Sequence, residues 1–579
     1  MKKILTFASI ALFGLGLASC DDFLDKSRYP ITSMPNTPEY WNNASNVEAQ
    51  CNYLYETYTG YGNAGGTGWF YFQTLSDDQA GNSFTTWHTA GAVPANNSTY
   101  NNGFIEIRRC NYIINNVRTS TLSPDEKLNF EGIARLNRAR QYYLLVRMFG
   151  DMVWTNSVID PDTPVGQEEL NAQRTDRHIV MDSVLNDLNY AIAAIGAKSG
   201  KQVWSKDLAL ALKSEVCLYE GTFCKYRTKA DNNLEPDPVR AKKFLEESAK
   251  ASEALIGDYP VSDDYAAIYN STGAALSANK EVIFMKRYEK DLFMHSTIDY
   301  TCSSTMVSGI TRDAFDSFLF VDGKPLALTA ENTDDAGVST TEQIGDSIAY
   351  RLDISAQLAV RDKRLTALTD PYVYYPKFTW PRWGAMEMTS STGYGIRKYD
   401  SPSFPVANRD QTGSNYSACP LYWISYIYCN FAEAKAELGT LSDTDLNNSI
   451  NKLYTRAGLP TQTVASLSNM NDPANNMNVS SLLWEIRRCR RCELMTDNWI
   501  RYWDLVRWHQ LDKLDNTKYP KIAQGANTKN AKIQPPTKDG DYYGAYFSKT
   551  RTYAPKYYLY PIPTSQLALN PNYKQNYLW

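Results

Sequence analysis

The segment RRCELMTDNWIRYWDLVRW, residues 490–508, places charged and aromatic residues at helical spacing near the end of the 579-residue chain. Its charged residues cluster within single helical turns of about 3.6 residues. Among them are Arg490, Arg491 and Glu493 in the first half, and Arg501 and Asp504 in the second. We predict that these side chains form an internal ion network that holds the last helices together, and that they are not a catalytic set. If the network is buried, removing one partner costs about 3–5 kcal/mol.

Several windows before and after this segment show apolar residues at helical spacing between residues typical of helix ends. Ser123-Pro124-Asp125-Glu126 is a capping box with proline at the first helical position, and Gly150 ends the helix that follows. The remaining windows with this pattern are 47–58, 105–117, 179–195, 208–219, 241–255, 424–438 and 446–457.

These helices come in antiparallel pairs, with small residues where the helices would touch. The sequence therefore predicts a mainly α fold of tetratricopeptide-like helix pairs, although they do not recur at the regular period of about 34 residues. We assign residues 41–259 to N-terminal helical repeats with an aromatic loop insertion at 60–103, and residues 421–579 to a C-terminal helical region. Residues 260–420 lack sustained helical periodicity and predict a large irregular, loop-rich lobe with a little β structure, for example at 281–285.

The first residues predict export from the cytoplasm. Two lysines precede an uncharged apolar stretch at 4–17, which is shorter than the about 20 residues that a membrane span needs. Cys20 directly follows a small-residue cleavage site, as in a bacterial lipobox. We predict a signal peptide over 1–19, a lipid chain on Cys20 and a lipidated tether over 20–40. An ordinary secretory signal with a chance cysteine is the alternative.

Net charge and aromatic content indicate which kinds of partner the protein binds. A net charge of −4 argues against nucleic acid as a partner, because phosphate neutralisation needs a basic surface. The chain has 41 Tyr, 13 Trp and 20 Phe, together 13% of its residues, and part of these must lie in the core. Tyr and Trp combine an apolar ring with a polar atom, so they suit surfaces that bind sugar rings.

Cysteine and histidine give no sign of metal or redox chemistry. The cysteines are widely scattered, and the CxxC spacing of Cys489 and Cys492 lies in a charged helical pattern without a second pair. We therefore expect free, buried thiols. The four histidines lie at no metal-ligand spacing, and we predict no metal and no cofactor. A glycosidase stays open, because its two acids need not be near in sequence.

Eight segments, in this order, resemble motifs of the SusD/RagB family of surface glycan-binding lipoproteins. They are CDDFLD (20–25), RMFGD (147–151), RDKRL (361–365), TGYGIRKY (392–399), YIYCNFAEAKAELG (426–439), INKLYTRAGLP (450–460), the segment 490–508, and YLYPIPTSQLALNPNYKQN (558–576). One departure is Thr496-Asp497-Asn498, where the family often has Phe-Glu-Gly.

This resemblance implies a function that no composition or spacing shows. It implies a SusD-like fold and a cell-surface lipoprotein, held in the outer membrane by its lipid anchor and facing the exterior. The protein would capture oligosaccharide or polysaccharide and pass it to a SusC-type TonB-dependent transporter, without chemistry on the sugar. The face of stacked helix pairs is the natural docking surface for that partner.

We place the sugar site between the 60–103 insertion and the lobe near 290–310. The candidates are Trp69 and Trp87 as stacking platforms, Asp77 and Asp78 as acceptors of hydroxyl hydrogen bonds, and Tyr300, with Trp380 and Trp383 as a reserve pair. Packing within the core or a loop is the alternative role for each residue. Two other classes of protein stay open: a surface glycoside hydrolase and a tetratricopeptide-like adaptor that binds peptides.

Overall fold

The structure is a computed structural model. It describes residues 37–63, 68, 76–81, 92–196, 200–303, 308–344, 346–375, 380–382, 386–545 and 549–579. The predicted signal peptide and Cys20 lie outside the described residues. No helix in the described ranges is long and apolar enough to cross a membrane.

The N-terminal third is built from helices. They are α1 (Pro38–Trp41), α2 (Ala44–Tyr53), α3 (Ser98–Thr119), α4 (Pro124–Phe149), α5 (Pro164–Leu170), α6 (Arg177–Ala194), α7 (Lys206–Tyr226), α8 (Lys229–Asn232) and α9 (Pro238–Glu253). The capping box predicted at Ser123 is present at the start of α4: its hydroxyl accepts from the Glu126 N–H, and the Glu126 carboxylate accepts from the Ser123 N–H. The longest of these helices is α4. It ends at Gly150, whose φ is +75°.

Neighbouring long helices pack in pairs, α3 on α4, α4 on α6, and α7 on α9. Glycine allows the closest approaches. A Cβ atom on Gly103 would lie 2.8 Å from a methyl of Leu145, and one on Gly221 would lie 2.8 Å from Cγ of Leu245. The predicted fold class, mainly α with paired helices, is therefore confirmed.

The middle of the chain contains short helices and most of the strands. The helices are α10 (Ala267–Asn270), α11 (Gly273–Ala278), α12 (Thr297–Cys302), α13 (Arg312–Asp316), α14 (Ser355–Ala359) and α15 (Lys363–Leu368). The strands of the whole chain are β1 (Gln79–Gly81), β2 (Val282–Lys286), β3 (Ser308–Ile310), β4 (Val338–Ile344), β5 (Ser347–Asp353), β6 (Thr369–Val373), β7 (Trp380–Arg382), β8 (Met386–Met388), β9 (Tyr394–Ile396), β10 (Cys419–Trp423), β11 (Gln524–Asn527), β12 (Lys538–Asp539) and β13 (Tyr542–Gly544).

Five small sheets result, and only one of them has four strands, in the order β4-β5-β6-β9 among the described residues. The other pairings are β1-β3, β2-β10, β7-β8 and β11-β13-β12. Strand β2 begins one residue into the predicted 281–285 segment, and all five of its residues are buried.

The C-terminal part is again helical. Its helices are α16 (Ile424–Glu437), α17 (Asp443–Asn448), α18 (Ile450–Arg456), α19 (Val464–Ser468), α20 (Ser481–Glu493), α21 (Ile500–Arg507) and α22 (Thr564–Leu569). The single helix predicted at 446–457 is wrong, because Ser449 adopts a non-helical conformation and its hydroxyl bonds to the carbonyl of Asp445. The nine described cysteines are free and buried, as expected.

The predicted ion network is confirmed, but its partners come from further away than the segment 490–508. Glu493 is fully buried and pairs with Arg364 and Arg456 rather than with its neighbours on α20. Arg490 Nε donates to Asp504 at 2.8 Å. Since Arg364 and Arg456 belong to the RDKRL and INKLYTRAGLP motifs, three motif segments meet in one buried cluster.

The corner between α20 and α21 is strained. Thr496, Asn498 and Trp499 have φ values of 69°, 45° and 59°, which non-glycine residues rarely adopt. The buried Asp497 carboxylate holds this corner in place, since it accepts from Lys398 Nζ at 2.6 Å and from the Tyr269 hydroxyl at 2.8 Å. The departure from the family pattern thus lies at a structural corner.

Candidate functional site

A short antiparallel ladder joins the aromatic insertion to the irregular lobe. Strand β1, inside the insertion, pairs with β3 through Gln79–Ile310, Ala80–Gly309 and Gly81–Ser308. The Thr311 N–H extends the contact by donating to the carbonyl of Asp78 at 2.9 Å. Gly81 and Ser308 form the last pair of the ladder.

Two further segments meet this ladder. The Ser391 hydroxyl donates to the carbonyl of Ala80 at 2.6 Å, and the Thr389 N–H donates to the carbonyl of Ser303 at 3.3 Å. Thr389 follows β8, which forms a hairpin with β7, and Ser303 follows α12. Gly309 allows Thr392 to approach the ladder closely, since a Cβ atom on Gly309 would lie 2.3 Å from Thr392 Oγ1.

Of the candidate aromatic residues, the described part of the chain contains Tyr300 and the backbone of Trp380. Tyr300 is on α12 and is half-buried. Trp380 is the first residue of β7, where only the backbone is described. Trp69, Trp87 and Trp383 lie outside the described residues.

Asp77 and Asp78 have a different role from the predicted one. Both are buried, and Asp77 accepts from Arg501 Nε at 2.8 Å and Nη2 at 2.7 Å. Asp78 accepts from Arg491 Nε at 2.7 Å. Their assignment as acceptors for sugar hydroxyls is corrected: they fasten the base of the insertion to α20 and α21.

The electrostatics of this pair agree with an anchoring role. Burial opposes charge on both carboxyls, but Arg491 and Arg501 outweigh burial at Asp77 and hold its pKa well below the usual range. Burial instead raises the pKa of Asp78 to about 6, with a further contribution from the charge of Asp77. Asp77 therefore keeps its charge over the ordinary pH range, whereas Asp78 becomes protonated as the pH falls below about 6.

A buried histidine supports the start of α12. His295 Nε2 donates to the carbonyl of Ser417 at 2.9 Å, and Nδ1 accepts from the Thr297 N–H at 3.1 Å, so this arrangement needs a neutral ring. Asn415 Oδ1 accepts from the N–H groups of Ile298 and Asp299. Sequence reasoning missed His295 and Asn415, since neither lies at an informative spacing.

We expect His295 to make stability depend on pH. Burial lowers its pKa from 6.5 to about 3, although the bond to Ser417 acts in the opposite direction. The unfolded chain takes up a proton below pH 6.5 while the folded chain does not, so stability is full above 6.5 and falls as the pH drops towards 3. The loss from neutral pH to about pH 5 is about 2 kcal/mol.

Denaturant unfolding of wild type and His295→Gln at the two pH values checks this. Glutamine is uncharged at both pH values. Between neutral pH and about pH 5, the free energy of unfolding of the variant should therefore fall by about 2 kcal/mol less than that of wild type. Equal losses for the two proteins would contradict the assignment.

One described cluster has ligand atoms close enough for a metal: His178, Glu220 and Cys224 lie within 4.8 Å of one another. Arginine side chains surround these three residues. Glu220 pairs with Arg177 and Arg240. Arg227 Nη1 lies 2.7 Å from His178 Nε2. The cluster is an ion-pair network that does not fit a cation, because these arginines supply the positive charge.

Comparison with known proteins identifies the fold. The model of the SusD family matches residues 280–579. The chain belongs to the SusD family. A second model, described as starch-binding associating with outer membrane, matches residues 22–218. The resemblance predicted from the eight motifs is confirmed.

Several solved structures share the fold at low sequence identity. A SusD-like carbohydrate binding protein from Bacteroides fragilis NCTC 9343 is 20% identical with a TM-score of 0.68, over 92% of this chain and 99% of that one. A SusD superfamily protein from Parabacteroides distasonis ATCC 8503 is 18% identical with a TM-score of 0.60, over 92% and 99%. A structure with a xylogluco-oligosaccharide is 15% identical with a TM-score of 0.58, over 91% and 97%. No curated protein matches this chain.

Proposed function

We propose that this SusD-family chain is a lipid-anchored glycan-binding protein on the outside of the outer membrane. It captures oligosaccharide or polysaccharide and passes it to a SusC-type TonB-dependent transporter. Cys20 carries the lipid. The chain binds the sugar without cleaving it.

The observation that supports a sugar site is a set of hydrogen bonds among described residues at one ladder. Gly81 pairs with Ser308, the Ser391 hydroxyl bonds to Ala80, and the Thr389 N–H bonds to Ser303. The segments next to these residues in the sequence are 82–91, 304–307, α12 and β7–β8. These segments carry Trp87, Tyr300, Trp380 and Trp383. Aromatic faces on separate loops around a fixed base suit a sugar chain, because each ring stacks on one sugar unit.

The site is therefore proposed to use Trp69, Trp87 and Tyr300 as contact residues, with Trp380 and Trp383 as the reserve pair. Asp77 and Asp78 are assigned to positioning. Other polar groups of the same segments would accept the hydrogen bonds that the sugar hydroxyls donate.

Calorimetry of Trp69→Ala and Trp87→Ala with the preferred glycan tests this site. The soluble chain 21–579 is first screened against a glycan panel that includes starch and xyloglucan oligosaccharides, which two of the comparisons name. Loss of a stacking platform should weaken binding by about 2 kcal/mol, or roughly 30-fold. Trp579→Ala is the matched control, because Trp579 is half-buried at the C-terminus against Lys556 and should leave affinity unchanged.

Unchanged affinity in both Trp69→Ala and Trp87→Ala rejects the site. Release of reducing ends from a polysaccharide by the purified chain would instead support the hydrolase. If no glycan raises the melting temperature, the adaptor is favoured. A mature protein without a lipid on Cys20 would reject the anchor alone.

A further inference from the structure

A small cavity lies between helices α4, α7, α16 and the corner that joins α20 to α21. It leaves about 50 Å³ for the centres of water-sized molecules, and one water needs about 10–15 Å³ by that measure. The cavity therefore has room for a few waters or one small ion, but it is too small for a sugar ring. Among its lining residues, Thr59 is exposed and Leu144 and Asn498 are half-buried, so a small solute can enter from solvent.

Two buried hydrogen-bond donors on the wall of this cavity lack a partner. The Tyr58 hydroxyl and Arg147 Nε bond to no group in the described part of the chain, although the two residues are only 2% and 7% exposed. Leaving a buried donor unsatisfied costs about 1–3 kcal/mol, and more when the group is charged. Two such donors at one cavity therefore indicate that a ligand accepts from them there.

Both groups act as donors at neutral pH. The Arg147 guanidinium has N–H groups and no acceptor atom. Burial raises the pKa of Tyr58 to about 12, although the charge of Arg140 acts in the opposite direction, so the hydroxyl keeps its proton. The cavity thus offers one N–H and one O–H to an acceptor.

The positive charge of Arg147 is only partly balanced. Its ion-pair partner is Glu215, whose Oε1 lies 3.6 Å from Arg147 Nη1. The two oxygens of Glu215 also accept from the hydroxyls of Tyr143 at 3.2 Å and Tyr422 at 2.7 Å, which share its charge. A buried guanidinium with a distant counter-charge attracts an anion more strongly than a neutral water.

The other described acid on the wall, Asp504, does not oppose an anion. Its carboxylate accepts from Arg490 Nε at 2.8 Å and from Arg507 Nε at 3.0 Å, so two arginines compensate its charge. Arg140 lies on the same wall, and its guanidinium is 3.9 Å from the centre of the Tyr58 ring. These charges together favour a negative ion over a cation.

We propose that the cavity binds one small monovalent anion of the chloride type, which accepts from Arg147 Nε and from the Tyr58 hydroxyl. This inference is independent of the sugar site. The ion joins α4, which carries Arg147, to the start of the aromatic insertion, which directly follows Tyr58. Because the ion binds the folded chain, it stabilises the fold by mass action.

Thermal unfolding of the soluble chain 21–579 in chloride and in gluconate tests the site. Gluconate is too large for the cavity, and a constant ionic strength of about 0.2 M keeps the screening of surface charges equal. As chloride replaces gluconate, the melting temperature of wild type should rise with the logarithm of the chloride concentration. A melting temperature that does not change would show that the cavity holds only water, and would overturn the proposal.

Tyr58→Phe and Tyr454→Phe are matched variants for the same measurement. Each removes one buried hydroxyl that has no partner in the described ranges and keeps the ring, but Tyr454 does not line the cavity. Tyr58→Phe should weaken chloride binding at least about tenfold and flatten the chloride dependence, whereas Tyr454→Phe should keep the dependence of wild type. An equal chloride dependence in the two variants would place the ion elsewhere and contradict the proposal.

Crystals grown with bromide in place of chloride locate the ion by its anomalous scattering. The peak should lie in contact with Arg147 Nε and the Tyr58 hydroxyl oxygen in wild type, and it should be lost in Tyr58→Phe. Bromide found only outside the cavity would reject the site.

Discussion

Replacing Glu433 by glutamine should lower the free energy of unfolding by about 3–5 kcal/mol at neutral pH. Glu433 lies on α16 and is fully buried. Its carboxylate accepts from Arg507 Nη1 at 2.5 Å, Arg507 Nη2 at 2.6 Å and Trp508 Nε1 at 2.6 Å. Glutamine keeps the shape but removes the main counter-charge of the buried Arg507, which among the described residues then faces only the carboxylate of Asp504.

The same prediction carries a pH signature. Burial raises the pKa of Glu433, but Arg507 outweighs it and lowers the pKa from 4.5 to about 2. A carboxyl with a depressed pKa stabilises the fold fully above pH 4.5 and loses that contribution as the pH falls towards 2. The gap between wild type and Glu433→Gln should therefore shrink by about 3 kcal/mol across that range.

Denaturant unfolding of the soluble chain measures both effects. Glu246→Gln is the control, since Glu246 forms an exposed pair with Lys242 one helical turn away on α9 and such pairs contribute less than about 0.5 kcal/mol. If Glu433→Gln cost no more than Glu246→Gln, the buried network would not stabilise the fold as argued.

The helices were predictable because their signals are local. The capping box at Ser123 acts within one turn and begins the helix that the pattern predicts. Residue types at helical spacing also predicted the charged network on α20 and α21. Its partners could not be read from the sequence, because Glu433 lies 74 residues from Arg507.

The same limit explains the error at the candidate site. Asp77 and Asp78 lie in a segment rich in glycine and aromatic residues, a composition that suggests a binding loop. Their arginine partners are 424 residues away for Asp77 and 413 residues away for Asp78. Strands β1 and β3 are three residues long, too short for alternation to predict them. Residue pattern therefore could not predict that β1 of the insertion pairs with β3 of the lobe.

Replacing Asp77 by asparagine should destabilise the chain by about 2–4 kcal/mol and weaken glycan binding at least about tenfold. The variant removes the charge that faces Arg501 Nε and Nη2, and it leaves Arg491 with less compensation. Because Asp77 and Asp78 hold the start of β1, the segments that leave the β1–β3 ladder lose their fixed base. The effect on affinity thus comes through position and not through contact with sugar.

Arg501→Gln separates anchoring from direct contact, because Arg501 is buried and was never a candidate for sugar binding. If the two residues form an anchoring pair, Asp77→Asn and Arg501→Gln should each lower both stability and glycan affinity. The double variant should then lose less stability than the sum of the two single losses. A sugar-contacting Asp77 predicts that Asp77→Asn weakens binding at unchanged stability while Arg501→Gln leaves binding intact. Unfolding curves and calorimetry on wild type, the two single variants and the double variant distinguish anchoring from sugar contact. Anchoring requires both stability and affinity to fall in both single variants.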